Sequence, residues 1–349
     1  MGQPEFVFRG HQAAVNSVSF FADDRFLVSG DQDGHLIVWN MLLKRQLVTA
    51  TAAHSAAILK ACGVSGDTVL SQGRDNKLNI WKLVASEFSG SLELVRSIGA
   101  DSMSFCKFSH CKVGGTTWVV ALENAGSGKA YMYNIDGSQH LSFSIERKSQ
   151  TKAGEREDSP MCMKLVSQGT DRFLLLIGYE STMLQCFEIL MDSAISCTSN
   201  CISAVATAHK EPVMSIDYDH QRKLVFTCAA DNMVCCYSIE ATGLYEVIPP
   251  AVLRNPGGSE VRCFLSPQLV VVAGWDYSIH IFRERMEHIC SLQFHRAAIT
   301  SVDVSTLSQA CADVITDDMI RRRWCSRPQW LVAASRDSRI SLWNIGSIA

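Results

Sequence analysis

The stretch SRDSRISLWN, residues 335–344, contains the pattern that decides the fold. A polar turn around Asp337 leads into RISLW, where polar and apolar residues alternate, and an aromatic residue ends the run. Alternation with period two predicts a β-strand, and small polar residues before it predict a tight turn. The Asp precedes the aromatic residue by six positions, and the same spacing recurs as Asp33/Trp39 in DQDGHLIVWN, Asp75/Trp81 in GRDNKLNIWK, Asp231/Tyr237 in AADNMVCCYS, Asp276/Phe282 in GWDYSIHIFR and Asp337/Trp343 here.

Two further stretches keep the aromatic end of this pattern but lack the Asp: GSGKAYMYN at 126–134 and IGYESTMLQCFE at 177–188. Repeats of roughly 40–45 residues with four strands each are typical of a β-propeller. The sequence therefore predicts an all-β, seven-bladed propeller that fills residues 1–349 as a single domain. Its blades are expected near 10–50, 54–98, 100–145, 160–205, 209–248, 258–293 and 295–345.

The ends of the chain predict how the ring closes. Residues 5–9, EFVFR, form a strand outside any complete blade, and only six residues follow Trp343. Blade seven therefore lacks its outer strand. We expect the N-terminal strand to supply it by pairing beside residues 340–345, because an open ring would leave sheet edges exposed.

Histidines recur at a fixed distance upstream of the turn aspartates. His11, His54 and His209 precede their partners by 21 or 22 residues, and His295 precedes Asp337 by 42, which indicates an insertion near 305–328 in blade seven. A hydrolase needs one such triad, whereas this chain repeats it, so a buried structural network is favoured. Its expected members are His11, Ser29, Asp33, Trp39; His54, Ser71, Asp75, Trp81; His209, Thr227, Asp231; and His295, Asp337, Trp343.

Composition narrows the classes of function. A net charge of −3 provides no field to hold a polyanion, so nucleic-acid binding is not expected. The 14 cysteines contain no CxxC pair, which disfavours a metal site and favours a reducing compartment. No cofactor motif, secretory signal or apolar run long enough to cross a membrane is present. We expect a monomeric, non-catalytic protein of the cytoplasm that can also enter the nucleus.

The residue before each turn Asp is the expected contact point for partners. These residues should ring one face of the propeller, and Trp and Arg are enriched at interface hot spots. An alternative for Trp275 is that it packs flat against the neighbouring blade. The mixed-charge segment 146–158 and the blade-seven insertion with RRRW at 321–324 fit either surface loops or further partner contacts. The positions before the Asp are Gln32, Arg74, Ala230, Trp275 and Arg336, with Glu180 equivalent in blade four.

These phrases look like WD repeats, although the Asp that usually follows the Trp is replaced in each. LSQGRDNKLNIW, LLIGYE, VAGWDYSIHIF and SRDSRISLWNI, among others, resemble the guanine nucleotide-binding protein subunit beta-like protein 1 family and its fungal relative, the ASTRA-associated WD protein. The resemblance runs from Phe6 to Ile345. It implies an adaptor that assists assembly of phosphatidylinositol-kinase-related kinases with the Tel–Tti co-chaperone complex. It also adds Tyr179 and Glu211 to the binding candidates and points again to Arg74, Glu180 and Trp275.

Two other functions stay open from the residues. A substrate receptor of a cullin ubiquitin ligase often has Arg two positions after the Asp of its WD pair, and here only FRER at 282–285 approaches this pattern. A G-protein-beta-like signalling scaffold would need an N-terminal helix to pair with a γ chain. The first strand here is predicted from about residue 5, which disfavours that interpretation.

Overall fold

Each repeat of the sequence forms one antiparallel sheet of four strands. The computed structural model describes residues 2–86, 88–101, 105–123, 128–137, 140–145, 158–193, 196–240, 243–264, 268–283, 285–305 and 329–346. These residues form 28 strands in seven sheets, and no helix occurs among them. Consequently none of the described segments is a helix that could span a membrane.

The first strand of the chain, β1 (Phe6–Arg9), precedes blade one and does not belong to it. Blades one to three follow it in chain order. Blade one contains β2 (Val15–Phe21), β3 (Phe26–Asp31), β4 (Leu36–Asn40) and β5 (Arg45–Ala50); blade two β6 (Ile58–Gly63), β7 (Thr68–Gly73), β8 (Lys77–Ala85) and β9 (Gly90–Gly99); and blade three β10 (Ser109–Val113), β11 (Thr116–Leu122), β12 (Lys129–Asn134) and β13 (His140–Ser144).

The remaining blades repeat the same order of strands, and β21 runs on beyond the expected end of blade five at 248. Blade four contains β14 (Pro160–Ser167), β15 (Arg172–Tyr179), β16 (Met183–Ser193) and β17 (Ser196–Ala206); blade five β18 (Val213–Asp219), β19 (Leu224–Ala229), β20 (Met233–Glu240) and β21 (Gly243–Val252); blade six β22 (Gly258–Phe264), β23 (Leu269–Gly274), β24 (Ser278–Arg283) and β25 (His288–Gln293); and blade seven β26 (Ile299–Val304), β27 (Trp330–Ser335) and β28 (Arg339–Asn344).

The N-terminal strand closes the ring, as the sequence predicts. β1 pairs antiparallel with β28, with Phe6 opposite Leu342 and Phe8 opposite Ile340, so blade seven has the strand order β1-β28-β27-β26. Phe8 is 2% exposed and packs against Trp39 of blade one. The first strand of the chain therefore joins the last blade to the first.

The apolar core lies between the blades. Seven buried clusters are present among the described residues, and each draws its side chains from two neighbouring blades. A single four-stranded sheet cannot cover its own two faces, and stacking against both neighbours does so. The first strand of each blade is innermost, and β2 contacts both β6 and β26, so these strands surround a central channel.

Candidate functional site

The histidine network of blade two has the geometry that the sequence predicts. His54 Nδ1 lies 2.9 Å from Asp75 Oδ1, and His54 Nε2 lies 2.7 Å from Ser71 Oγ. Trp81 Nε1 donates to the same hydroxyl at 2.8 Å. This series of hydrogen bonds links the segment before β6 to the turn between β7 and β8. Ser71 is completely buried, so its hydroxyl cannot reach a substrate, and the arrangement stabilises the blade.

The prediction that Asp33 is the acidic residue of the blade-one network is wrong. His11 Nδ1 bonds Asp31 Oδ2 at 2.7 Å, and Asp33 is exposed. His11 Nε2 bonds the buried Ser29 hydroxyl at 2.7 Å, and Trp39 Nε1 donates to that hydroxyl at 2.8 Å. Asp31 takes the place of Asp33 because its carboxylate also accepts the backbone N–H groups of Asp33 and His35 at 3.0 and 2.9 Å.

The electrostatics of Asp31 follow from these contacts. Burial alone raises the pKa of a carboxyl group, but the bonds from His11 and from the backbone of His35 outweigh it and lower the pKa of Asp31 to about 2. The pKa values of Asp75 and Asp337 are also lowered against the effect of burial, chiefly by the bonds from their histidines. The network therefore holds these carboxylates in the charged form.

Blades five and seven repeat the network with substitutions. His209 bonds Asp231 at 3.1 Å and Thr227 Oγ1 at 2.9 Å. In blade seven, His295 Nδ1 bonds Asp337 at 3.0 Å. In the same blade, His295 Nε2 and Trp343 Nε1 each lie 2.8 Å from Ser341 Oγ, so the hydroxyl comes from β28 and not from the preceding strand.

Blades four and six contain altered pairs that sequence reasoning missed. In blade four the carboxylate and the hydroxyl exchange positions, because Asp158 precedes β14 and accepts from Ser181 in the turn between β15 and β16. In blade six Asn255 Nδ2 donates to Asp276 Oδ2 at 3.2 Å, and His280 Nε2 bonds the other oxygen of Asp276 at 3.1 Å. Asn255 precedes its Asp by 21 residues, as His54 does, so the spacing could have identified it.

These bonds place equivalent parts of six blades, all but blade three, on one face of the ring. We name it the turn face: it contains the turns between the second and third strands and the segments that precede each innermost strand. The residue before each turn Asp or its equivalent donates its backbone N–H to the segment before the innermost strand of the same blade. The pairs are Gln32 to Ala14, Arg74 to Ala57, Glu180 to Ser159, Ala230 to Pro212, Trp275 to Gly257 and Arg336 to Ala298.

The candidate partner residues occupy this face with one exception. Gln32, Arg74, Glu180, Trp275 and Arg336 are exposed at the equivalent turn position, and Glu211 is exposed in the segment before β18. The prediction that Tyr179 contacts a partner is wrong. Its side chain is 2% exposed and belongs to the apolar cluster between blades three and four, because it is the last, inward-facing residue of β15.

Trp275 is the largest aromatic side chain among the described residues of the turn face. Its ring lies over Gly257 of its own blade, where a Cβ atom would come within 2.2 Å of the ring. Its Nε1 donates to Ser259 Oγ at 2.7 Å, and 40% of the residue stays exposed. Tyr277, two residues further along the same turn, is 49% exposed. The Trp275 ring is thus held in place by contacts with its own blade.

Arg74 adds a second exposed pair on the turn face. Its guanidinium lies 5.0 Å from the centre of the Phe105 ring, which is 56% exposed and precedes β10 of the next blade. Sequence reasoning missed Phe105 because it is outside the repeated phrase. Most of segment 146–158 and of the insertion 305–328, including RRRW at 321–324, lies outside the described residues.

The described residues contain no group of three or more His, Cys, Asp or Glu side chains that could hold a metal ion. A profile of the family "WD domain, G-beta repeat" matches residues 2–40 and 199–238. The chain is a seven-bladed WD-repeat β-propeller. The first match runs from β1 through the third strand of blade one, and the second runs from β17 of blade four through the third strand of blade five; each includes one histidine network.

The expected resemblance is confirmed by full-length relatives of this WD-repeat propeller. Guanine nucleotide-binding protein subunit beta-like protein 1 of Mus musculus is 28% identical, over 98% of this chain and 96% of the relative. ASTRA-associated protein 1 of Verticillium alfalfae is 26% identical, over 98% of this chain and 92% of its own. The protein of the same name from Schizosaccharomyces pombe is 23% identical, over 98% of both chains.

Proposed function

We propose that this WD-repeat propeller is a non-catalytic adaptor that binds other proteins through its turn face. The observation that carries the proposal is the set of exposed side chains at one equivalent turn position in five blades, one, two, four, six and seven. Such a set presents Trp, Arg and Glu on a rigid frame, and Trp and Arg are the residues that dominate binding energy at interfaces. The names of the fungal relatives, which describe association with ASTRA, support a role as a scaffold.

The buried networks support the same proposal by their chemistry. The hydroxyls of Ser29, Ser71 and Thr227 are fully buried and already bonded to histidine, so they are committed to holding the turns. A carboxylate that is paired in this way fixes the position of the exposed residue beside it. The turn face is therefore preorganised, which lowers the entropic cost of binding a partner.

We propose further that the partners are subunits of the Tel–Tti co-chaperone complex and the large phosphatidylinositol-kinase-related kinases. This finer assignment rests on the family resemblance, whose full-length extent supports it. Because the turn face combines the exposed Trp275 ring with Arg74 and Arg336, the partner surface should contribute acidic and apolar side chains.

The test is affinity purification from native extract followed by mass spectrometry. The wild type is compared with the double variant Trp275→Ala/Arg74→Glu and with Lys112→Glu as control, since Lys112 is an exposed residue of β10 outside the turn face. Capture of co-chaperone subunits and kinases by the wild type and the control, but not by the folded double variant, is the expected result. Equal capture by the double variant would rule out this face, and absence of these proteins from the wild-type sample would rule out these partners.

A further inference from the structure

The innermost strands are linked across the channel wall by side chains at two levels. At the first level, the side chain of one blade accepts the backbone N–H of the next: Ser17 accepts from Ala61 at 3.0 Å, Ser215 from Val261 at 3.2 Å, Glu260 from Val302 at 3.1 Å and Ser301 from Val18 at 3.2 Å. At the second level, two residues further on, Ser109 accepts from Leu165 at 2.9 Å, Asp217 from Cys263 at 2.9 Å and Asp303 from Phe20 at 2.8 Å.

Lysines occupy the first level in blades two and three. Lys60 is opposite Gln72 in its sheet, as Ser17 is opposite Gly30 in blade one. Lys107 precedes the second-level residue Ser109 by two positions. An ammonium group has no lone pair and cannot accept an N–H, so neither lysine can make the link that Ser17 makes. Two adjacent blades therefore direct cations to a position where other blades use a hydroxyl or a carboxylate.

The carboxylates of the channel are already engaged by other groups. Asp217 lies 2.5 Å from Lys164 Nζ, and Glu260 lies 2.9 Å from the Arg262 guanidinium. The remaining one, Asp303, accepts the backbone N–H of Phe20. Each carboxylate thus has a partner on the wall, and two of them neutralise the other two cations of the channel.

Lys60 and Lys107 are the cations left without a carboxylate within ion-pair distance among the described residues. Lys60 Nζ donates to the Phe108 carbonyl at 2.9 Å and lies 4.8 Å from the centre of the Phe108 ring. Burial, with a contribution from Arg262, lowers the pKa of Lys60 to about 8. Both side chains are half-buried and line the same cavity of about 290 Å³.

We propose that the central channel binds a small phosphate-bearing anion between Lys60 and Lys107. The four cations of the channel outnumber its three carboxylates, and the two ammonium groups outside the ion pairs can both contact a phosphate, for which lysine is a common ligand. The volume is at the lower end of the range for small-molecule sites, which exceeds what a bare phosphate needs and suits a small organic ester. None of the candidate partner residues of the turn face lines this cavity, so the site does not depend on the proposed adaptor function.

The test measures binding of two probes, inorganic phosphate and glycerol 3-phosphate, by calorimetry and phosphorus NMR at constant ionic strength and pH 7. We expect saturable binding by the wild type and at least a tenfold loss of affinity in Lys60→Gln and in Lys107→Gln. Lys60→Arg should stay within about threefold of the wild type because it keeps the charge. Lys112→Gln, an exposed lysine of β10 that does not line the cavity, is the matched control.

Each outcome decides the proposal. Absence of saturable binding to the wild type overturns it, and so does wild-type affinity in both glutamine variants. If Lys60→Gln does not fold, Lys107→Gln alone decides, because Lys107 has no hydrogen bond or ion pair among the described residues, whereas Lys60 bonds the Phe108 carbonyl. If a phosphoserine peptide binds while both small probes fail, the small-anion proposal is also overturned. Chloride at equal ionic strength should not compete with the probes.

Discussion

The buried imidazole of His11 bonds the carboxylate of Asp31, with 2.7 Å between Nδ1 and Oδ2. Asp31 is completely buried, whereas Asp33 is exposed two residues later. We expect Asp31→Ala to reduce the free energy of unfolding by about 1–3 kcal/mol, because His11 and two backbone N–H groups lose their acceptor. Asp33→Ala should change it by less than about 0.5 kcal/mol. Urea denaturation measures both, and equal effects of the two substitutions would contradict the assignment.

The sequence predicts this network better in blade two than in blade one, for a physical reason. Spacing from the aromatic residue identifies Asp75 correctly, but DQDG offers two carboxylates, and the one that is buried depends on which can also accept the turn's backbone N–H groups. The family resemblance likewise selects Tyr179 but cannot show that its side chain is buried at the end of β15. The repeat and its closing strand were predictable because each is a local pattern.

The residues that line the channel could not be predicted from the sequence. They are spaced two apart within each innermost strand, and their identity differs from blade to blade: Ser17, Lys60, Lys107 and Glu260 are equivalent. The side chain at this position is a hydroxyl in one blade, an ammonium in another and a carboxylate in a third, so the sequence shows no repeated motif there. Their common role appears only when the seven strands are placed side by side.

Closure by β1 makes a second prediction. Phe8→Ala should lower the free energy of unfolding by about 3–5 kcal/mol, because this side chain is 2% exposed and fills the cluster between blades seven and one. Arg9→Ala, at an exposed neighbouring position, should change it by less than about 0.5 kcal/mol. Deletion of residues 2–9 should further expose the edge of β28 and promote association, which light scattering detects. A deleted protein that stays monomeric with unchanged stability would show that closure does not need β1.

The pH dependence of stability should depend on His110. Burial, together with the cations Lys60, Lys164 and Arg262, lowers the pKa of His110 to about 3, and its Nδ1 lies 3.6 Å from the Cys62 thiol. The folded protein therefore keeps this imidazole neutral, whereas the unfolded chain protonates it below its ordinary pKa of about 6.5. Stability is lost as the pH falls from about 6.5 towards 3, by at most about 1.4 kcal/mol per pH unit from this residue.

The His110 prediction is checked by urea denaturation at several pH values between 7.5 and 4.5. His110→Asn should have a shallower decrease than the wild type, whatever its stability at pH 7.5. His209 and His220, whose pKa values are also lowered chiefly by burial, should leave a residual slope. Identical slopes for the variant and the wild type would mean that His110 is protonated in the folded protein over this range.

The cysteines of β20 should not react with alkylating reagents in the folded protein. Cys235 and Cys236 have no exposed surface, and burial raises the pKa of each thiol to about 12. Since the thiolate is the reactive form, iodoacetamide at pH 8 should not modify either residue until the protein is unfolded. Cys197 is partly exposed and serves as the internal comparison, although burial raises its pKa as well. Peptide mass spectrometry before and after urea addition measures all three, and early modification of Cys235 would contradict a stable blade five.

The position of Trp275 should depend on Gly257. The backbone of Gly257 has φ of +104°, and a Cβ atom there would lie 2.2 Å from the Trp275 ring. Gly257→Ala should therefore lower the free energy of unfolding by about 1–2 kcal/mol and move the ring, since side chains other than glycine are strained at positive φ. The Trp275 indole N–H resonance, which reports the bond to Ser259, is expected to shift in this variant. Gly66→Ala is the control, because nothing lies within 4 Å of a Cβ atom at that site. An unchanged indole resonance in Gly257→Ala would show that the ring is not seated on the glycine, and Trp275 would then be free to adapt to a partner instead of being preorganised for it.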